Sequence, residues 1–525
     1  MALPPSFAKA AQAARQVLRD FDLEAFRQTL ESKPVGVAWD ETAATTTEGR
    51  ATLDLVVDLL ARLYPEIRLK SLDTKARDIT AALEERLRSI NPNVALSALI
   101  EEASIAVVVG DTRLGTPAGF PLPVVLYSGS DGWIAKFSQR GPVGCGSSQN
   151  VFGAGAAACF AAANVFRSVF AGELPSGDLD SEFSLSVVDF ELNHTSSCIA
   201  NPELPARIDL GDTHLVGVGA IGHGVVWALR RTVGLFGRLY LVDRECFDDT
   251  NPQRYVETTH DISGAKASTA FARGWISKDL KVIPRDIEWS KHITEWAEEN
   301  DWRINRVALA LDTAEDRVTV QAALPKRIHN AWTRPENVGV SRHEFLSGPC
   351  VCCLYMPDGP KPNLDELVAK ALRITDPIEL KRVRFYLDTG APLDARALEW
   401  IADRRELSPE KREQLNAFVG CQLQELYVRG LCGGMLLSAD ESREAGEAEV
   451  PLAFQSALAG VLLAAEVVID AAGLRLSILP ARTEINLLRP IGKRLNSHQQ
   501  RPVSENCLCQ DADFVDVYAA KYAPV

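Results

Sequence analysis

Positive charge is the first thing this sequence lacks. Lysine and arginine number 56 against 70 aspartates and glutamates, for a formal net charge of -14. Phosphate backbones are held by basic faces, so this balance argues against a nucleic-acid partner. A long uninterrupted apolar run is also missing. The most apolar segment, residues 451–474, contains Gln455, Glu466 and Asp470. Such side chains are costly in lipid, so the segment reads as a buried helix rather than a membrane span. The opening stretch, MALPPSFAKAAQAARQVLRDF, has no apolar run leading to a small-residue cleavage site and reads as an amphipathic helix. These absences predict a cytoplasmic protein. Nor is there a secreted disulfide framework. The 11 cysteines are odd in number and clustered, which in a reducing compartment points to metal binding or thiol chemistry.

What is present is length and repetition. A chain of 525 residues exceeds what one hydrophobic core supports, so two or three domains are expected. From Lys33 the order is strand (PVGVAWD), helix (EGRATLDLVVDLLARLY), strand (EIRLKSL), helix (KARDITAALEERLRSI) and strand (SIAVVVGDT). The second half repeats it with THLVGVGAIG, HGVVWALRRTVG, RLYLVD, GAKASTAFARGWI and RVALALDTAEDR. Later, residues 150–170 resemble 450–472, and each precedes a strand, FSLSVVDFEL or TEINLL. Alternating strands and helices predict an α/β class with parallel sheets, and the matching order predicts two Rossmann-like domains related by duplication. Residues 357–430 read as an all-helical insertion, with SPEKREQLNAFVGCQLQELYVRG its clearest helix, capped by Ser408 with Pro409 at its first position. The stretch ADESREAGEAE reads as a surface loop. The expected domains are 1–200, 201–356, 357–430 and 431–525.

Only the second half looks chemically equipped. Gly217, Gly219 and Gly222 form G-x-G-x-x-G between an apolar strand and a helix. The first glycine permits a tight turn, the second lets backbone approach a phosphate, and the third allows close helix–sheet packing. Asp243 ends the next strand, where a carboxylate suits ribose hydroxyls. Asn251, Arg254 and Lys266 follow, and Asp312 ends a later strand at the carboxyl edge of the sheet. A dinucleotide enzyme needs no such cationic cluster, whereas attack on an α-phosphate does. The carboxylate of Asp312 suits Mg²⁺. The corresponding loop of the first half, ETAATTTEGR, lacks the glycines that admit a phosphate.

VGVGAIG, LVDRECFDDTNPQRY, GAK and ALDTAEDR together resemble the adenylation motifs of the ubiquitin-activating, MoeB and ThiF superfamily, over roughly residues 205–355 and 430–510. The resemblance implies that ATP binds with its ribose on Asp243, its triphosphate on Asn251, Arg254 and Lys266, and Mg²⁺ on Asp312. Tyr255 departs from the glutamine usual after that arginine. Members are dimers or fused pseudo-dimers, so the first half resembles an inactive adenylation domain, and a monomeric pseudo-dimer is expected. The implied function is activation of a ubiquitin-like protein at its C-terminal glycine, with thioester capture and transfer to a conjugating enzyme. The alternative is a ThiF- or MoeB-like adenylyltransferase acting on a sulfur carrier or another small acceptor without an obligatory thioester.

Cys350 and Cys353 in C-x-x-C, with Cys507 and Cys509 in C-x-C, suit tetrahedral Zn²⁺, although Cys352 could replace either of the first pair. For the thioester, Cys432 sits beside two glycines and resembles the cysteine of ThiF and MoeB relatives. Cys421 is the second candidate, though it reads as buried in the middle of a helix. Cys145, Cys159, Cys198 and Cys246 read as structural.

Overall fold

Strands covered on both faces carry continuous apolar runs, and the first half shows this plainly. In β1 (Val35–Trp39) and β4 (Ile105–Val109) every residue is buried. In the computed structural model, which describes residues 3–115, 123–193, 200–300, 302–355, 364–427, 449–502 and 507–523, these strands lie inside a seven-stranded sheet. Its other members are β2 (Glu66–Ser71), β3 (Ala95–Ser97), β5 (Val124–Asp131), β6 (Ile134–Ser138) and β7 (Glu182–Ser186), in the order β3-β2-β1-β4-β5-β6-β7. The first five pair in parallel, and β6 and β7 run antiparallel.

The second half repeats this topology. Its strands are β8 (Ile208–Val216), β9 (Leu235–Val242), β10 (Leu280–Arg285), β11 (Arg306–Leu309), β12 (Arg327–Thr333), β13 (Asn337–Glu344), β14 (Arg482–Asn486) and β15 (Asn496–Ser497). They lie in the order β10-β9-β8-β11-β12-β13-β14-β15, parallel from β10 to β12 and antiparallel beyond. Strand for strand, the first seven match the first sheet in order and direction. The protein is therefore α/β, with two doubly wound, Rossmann-like sheets.

The halves meet through helices. Phe152–Val169 and Ala453–Ala472, each lying between the sixth and seventh strands of its half, pack together, with Phe166 and Phe454 at 5.9 Å. Both helices are long and apolar enough to cross a membrane, yet 94% of each apolar window is buried inside the protein. The glycines there are spacers. A Cβ on Gly460 would meet the Ile221 carbonyl at 2.3 Å, and one on Gly155 would meet Trp227 at 2.6 Å.

Contacts divide the chain into two units, Met1–Met356 with Pro451–Val525, and Pro357–Val450. The smaller unit has its own core, with Val368, Leu398, Ile401 and Phe418 buried. It contains helices Leu364–Ala371, Pro377–Thr389, Ala395–Arg404 and Pro409–Leu415, the last capped by Ser408 as expected. That last helix is shorter than its amphipathic pattern suggests. It gives way to a 3-10 turn at Asn416–Phe418 and then to Gly420 at φ +85°. Cys421 therefore lies in a turn, not mid-helix, and is partly exposed. Cys432, Cys198 and most of the polar 439–449 stretch lie outside the described residues.

Candidate active site

The glycine turn follows β8 directly. Gly217 has φ +90°, and a Cβ there would meet the Ala310 carbonyl at 2.5 Å. A Cβ on Gly222 would lie 2.3 Å from the Gly217 carbonyl, so the third glycine is required for the helix Ala220–Arg231 to seat against the turn. Gly219 differs: its Cβ would meet only the Tyr255 hydroxyl, at 3.4 Å. The middle glycine thus faces open space at a helix N-terminus, where an anion is favoured.

Asp243, just past β9, closes one side of the turn. Its carboxylate accepts from the Val218 N–H at 2.7 Å and from the Glu245 N–H at 2.8 Å. Burial raises its pKa, opposed by the Glu245 N–H and by Lys266. Next comes a 3-10 turn, Asn251–Gln253, which holds Asn251 buried and sets Arg254 half-buried at its end. Asn251 Oδ1 and Arg254 Nη1 are both buried without a hydrogen-bond partner in the protein. Buried polar atoms without partners are costly, so the Arg254 N–H is poised for an anion and the Asn251 oxygen, an acceptor, for a donor such as a ligand hydroxyl.

Lys266 is 4% exposed at the start of helix Lys266–Ala272. Its Nζ lies 2.5 Å from the Glu245 carboxylate and 3.2 Å from the Tyr255 hydroxyl. Burial works against the ammonium, but Tyr255 and Glu245 outweigh it and hold the pKa above the ordinary lysine value. Asp312 is exposed just beyond β11. Burial chiefly raises the Tyr255 hydroxyl pKa, opposed by Arg254 and Lys266, and Asp312 adds to the rise. The structure thus gathers Gly217, Gly219, Gly222, Asp243, Asn251, Arg254, Lys266 and Asp312 at one sheet edge. The motif pattern marks Tyr255 only as a departure, and its place at the centre of the cluster emerges from the fold.

Arg62, which no motif marks, holds this segment from the first half. It is 1% exposed at the C-terminal end of helix Thr47–Ala61. Its guanidinium donates to the Pro252 carbonyl, to Thr258 Oγ1 at 3.1 Å and to the Thr258 carbonyl at 3.2 Å, while Asp58 pairs with it at 2.7 Å. The charge therefore bridges the two halves beneath Asn251 and Arg254.

Four thiols assemble elsewhere. Cys350, Cys353, Cys507 and Cys509 are all buried, with every pair of sulfurs within 4.8 Å. The closest separations run from 3.4 to 3.8 Å. A tetrahedron of Zn–S bonds of about 2.3 Å has edges of about 3.8 Å, so the donor set fits a structural zinc site. Cys352 is buried but outside the group. Cys246, read from sequence as structural, is exposed on the loop after Asp243, where its backbone bridges Ala265 and leaves the thiol outside the core. Burial, then Asp40, Asp111 and Glu48, pushes the Cys145 thiol up to about 12, and burial also raises that of Cys159.

Against known proteins, residues 38–171 match the family described as Prokaryotic E2 family C. The uncharacterized protein y4jF of Sinorhizobium fredii (strain NBRC 101917 / NGR234) is 41% identical over 524 residues, covering 99% of this chain and 98% of that protein. Among solved structures, E. coli MccB with ATP aligns at 12% identity and a TM-score of 0.31, covering 56% of this chain and 65% of that one. E. coli MccB with MccA-N7isoASN aligns at 14% identity and a TM-score of 0.30, covering 56% and 66%. The chain thus spans just under two thirds of the length of those two solved chains, a likeness too slight to bear on function.

Proposed function

The chain belongs to one family with the y4jF protein of Sinorhizobium fredii, and from the geometry of its site we propose that it is an ATP-dependent adenylating enzyme that activates the C-terminal glycine of a ubiquitin-like protein. One observation carries the reading: the Tyr255 hydroxyl stands beside the open glycine turn at Gly219, with Lys266 bonded to it and Arg254, its Nη1 buried and unpartnered, over the same ring. In the reaction, a carboxylate oxygen of the terminal glycine attacks the α-phosphorus of ATP. The bond to the bridging oxygen breaks, and pyrophosphate leaves with the electron pair. The turn and the helix N-terminus hold phosphate, and Asp243 accepts from ribose. Arg254 and Lys266 stabilise the charge that builds on the α-phosphate oxygens. Asp312 is an oxygen donor suited to Mg²⁺, which supplies charge neutralisation on the leaving group. Cys350, Cys353, Cys507 and Cys509 hold Zn²⁺ as a structural clip.

The first half has no adenylating role and serves as the partner in a fused, monomeric pseudo-dimer. Its match to a family described as Prokaryotic E2 supports a setting of ubiquitin-like conjugation, with a conjugating enzyme as acceptor. The two described cysteines within that match, Cys145 and Cys159, have raised thiol pKa values and are poor thiolates. We assign the thioester to Cys432, which sits beside two glycines and resembles the cysteine of ThiF and MoeB relatives, with Cys421 the second candidate.

The test is ATP–pyrophosphate exchange with small proteins ending in glycine. Exchange is expected with the cognate protein and is lost in Arg254→Ala; exchange that persists in that variant overturns the assignment. Cys432→Ala separates the two forms of the reading. Lost thioester with retained exchange supports the activating enzyme. Full product formation without Cys432 favours a sulfur-carrier-type adenylyltransferase.

A further inference from the structure

Tyr255 stands where the resembling motifs carry glutamine, and it is 4% exposed at the centre of the nucleotide site. From its surroundings we propose that the Tyr255 hydroxyl is a phosphate donor, fixed over the glycine turn by Lys266. This inference deepens the adenylation reading and rests on it. An ammonium has no lone pair, so across the 3.2 Å separation Lys266 donates and the Tyr255 oxygen accepts. The hydroxyl hydrogen is then left to point elsewhere. The oxygen lies 3.4 Å from where a Cβ on Gly219 would stand, and Gly219 has no other neighbour within 4 Å of that point. The hydrogen is then free to turn toward the space that Gly219 leaves for a phosphate.

The ring is built to stay there. His223 packs on it at 5.1 Å and Phe247 at 5.8 Å, edge-on. Arg254 lies over the same ring with its Cζ 5.4 Å from the centroid, and the Lys266 ammonium stands at 5.3 Å. Both cations of the site are thus ordered on one aromatic ring, which attracts cations through its quadrupole. A phenol hydrogen-bonded to an ammonium is a stronger donor than an isolated one. Glutamine would supply a donor but no such ring, which gives the substitution its meaning: one residue both donates to phosphate and aligns the two cations.

The experiment measures binding of MgATP, AMP and adenosine to the full chain by calorimetry, for wild type and Tyr255→Phe. Phenylalanine keeps the ring and removes only the oxygen. Wild type is expected to bind MgATP and AMP more tightly than adenosine. Tyr255→Phe is expected to weaken MgATP and AMP by about tenfold or more, the effect of losing one bond to a charged group. Adenosine affinity and the unfolding midpoint stay as in wild type. Equal binding of AMP by wild type and Tyr255→Phe overturns the inference while leaving the adenylation reading in place. A wild-type chain that binds no MgATP removes that reading and this one together. Should Tyr255→Phe fail to fold, Tyr255→Gln carries the test: a kept preference for AMP over adenosine supports a donor at this position, and its loss refutes one.

Discussion

Arg62→Ala is the sharpest probe of how the halves cooperate. The wild-type guanidinium is buried and makes three bonds to the segment that carries Asn251 and Arg254, to the Pro252 carbonyl and to both oxygens of Thr258. Truncation leaves the Pro252 and Thr258 carbonyls buried without their donor. It also removes one of two guanidinium partners from Asp58, which keeps Arg86 and the Glu257 N–H at 3.1 Å. An unsatisfied buried carbonyl costs about 1–3 kcal/mol, and breaking a buried ion pair costs about 3–5 kcal/mol. Because Asp58 retains its second partner, the combined local loss is expected at about 3–5 kcal/mol. If that loss falls on segment 251–260, its amides open about 10²–10⁴ times more often. Hydrogen exchange followed by mass spectrometry reads this directly. The KM for ATP in the exchange assay is expected to rise with it, and Arg62→Lys, which keeps charge but not the fork, falls between. Wild-type exchange rates across 251–260 in a folded Arg62→Ala chain would refute the reasoning.

Two further outcomes follow from buried groups. Metal analysis of purified protein is expected to find one zinc per chain. Cys507→Ser is expected to lose it with a lower unfolding midpoint, whereas Cys352→Ser keeps it; equal retention in both would refute the four-thiol site. Glu466 is fully buried; burial alone would raise its pKa, but Arg342 and Arg475 pull it down to about 2 from an ordinary 4.5. A depressed carboxylate contributes stability that is complete above about pH 4.5 and is lost as the pH falls toward 2, in all about 3 kcal/mol. Glu466→Gln is therefore expected to be less stable at neutral pH and to have a shallower acid limb, measured by urea unfolding from pH 7 to 3. An unchanged acid limb would refute the pairing.

Much of this was legible in the chain because it rests on local pattern. Strands such as Ile105–Val109 announce themselves as unbroken apolar runs, and the glycine spacing after β8 dictates a turn whatever surrounds it. The C-x-x-C and C-x-C pairs are equally local, and tertiary structure had only to bring them together. What sequence does not disclose lies in contacts over long separations. Arg62 reads as one more cation on an amphipathic helix, yet its partners lie 190 and 196 residues away. Tyr255 gains its role from Gly219, Lys266 and Arg254, a juxtaposition no spacing rule contains. The helix before Cys421 fails for a local reason that periodicity masks. Apolar residues continue at helical intervals through Phe418, but the helix tightens to a 3-10 turn after Leu415, and Val419 is extended before Gly420 takes a left-handed conformation.

Individual side chains at the strand ends explain why two matching sheets do not make two matching sites. Asp40 follows β1 as Gly217 follows β8, and Gly110 follows β4 as Ala310 follows β11. In the second half Gly217 packs bare backbone against Ala310 and leaves the turn open. In the first, the Asp40 carboxylate fills that junction: it accepts from the Ala43 N–H at 3.1 Å and the Asp111 N–H at 2.6 Å. A Cβ on Gly110 would lie only 2.0 Å from it. Glu48, at the N-terminus of the following helix, is fully buried and takes Ser130, Ser148 and the Gly132 N–H as donors. The amides and hydroxyls that would otherwise receive a phosphate are thus already satisfied by two carboxylates. A phosphate at about 4 Å from either would be repelled by about 4 kcal/mol per unit charge at an effective dielectric of about 20. On the proposed reading these two carboxylates are what keeps nucleotide out of the first half, and the same helix that carries Glu48 inward at its start presents Arg62 at its end to segment 252–258 of the second half.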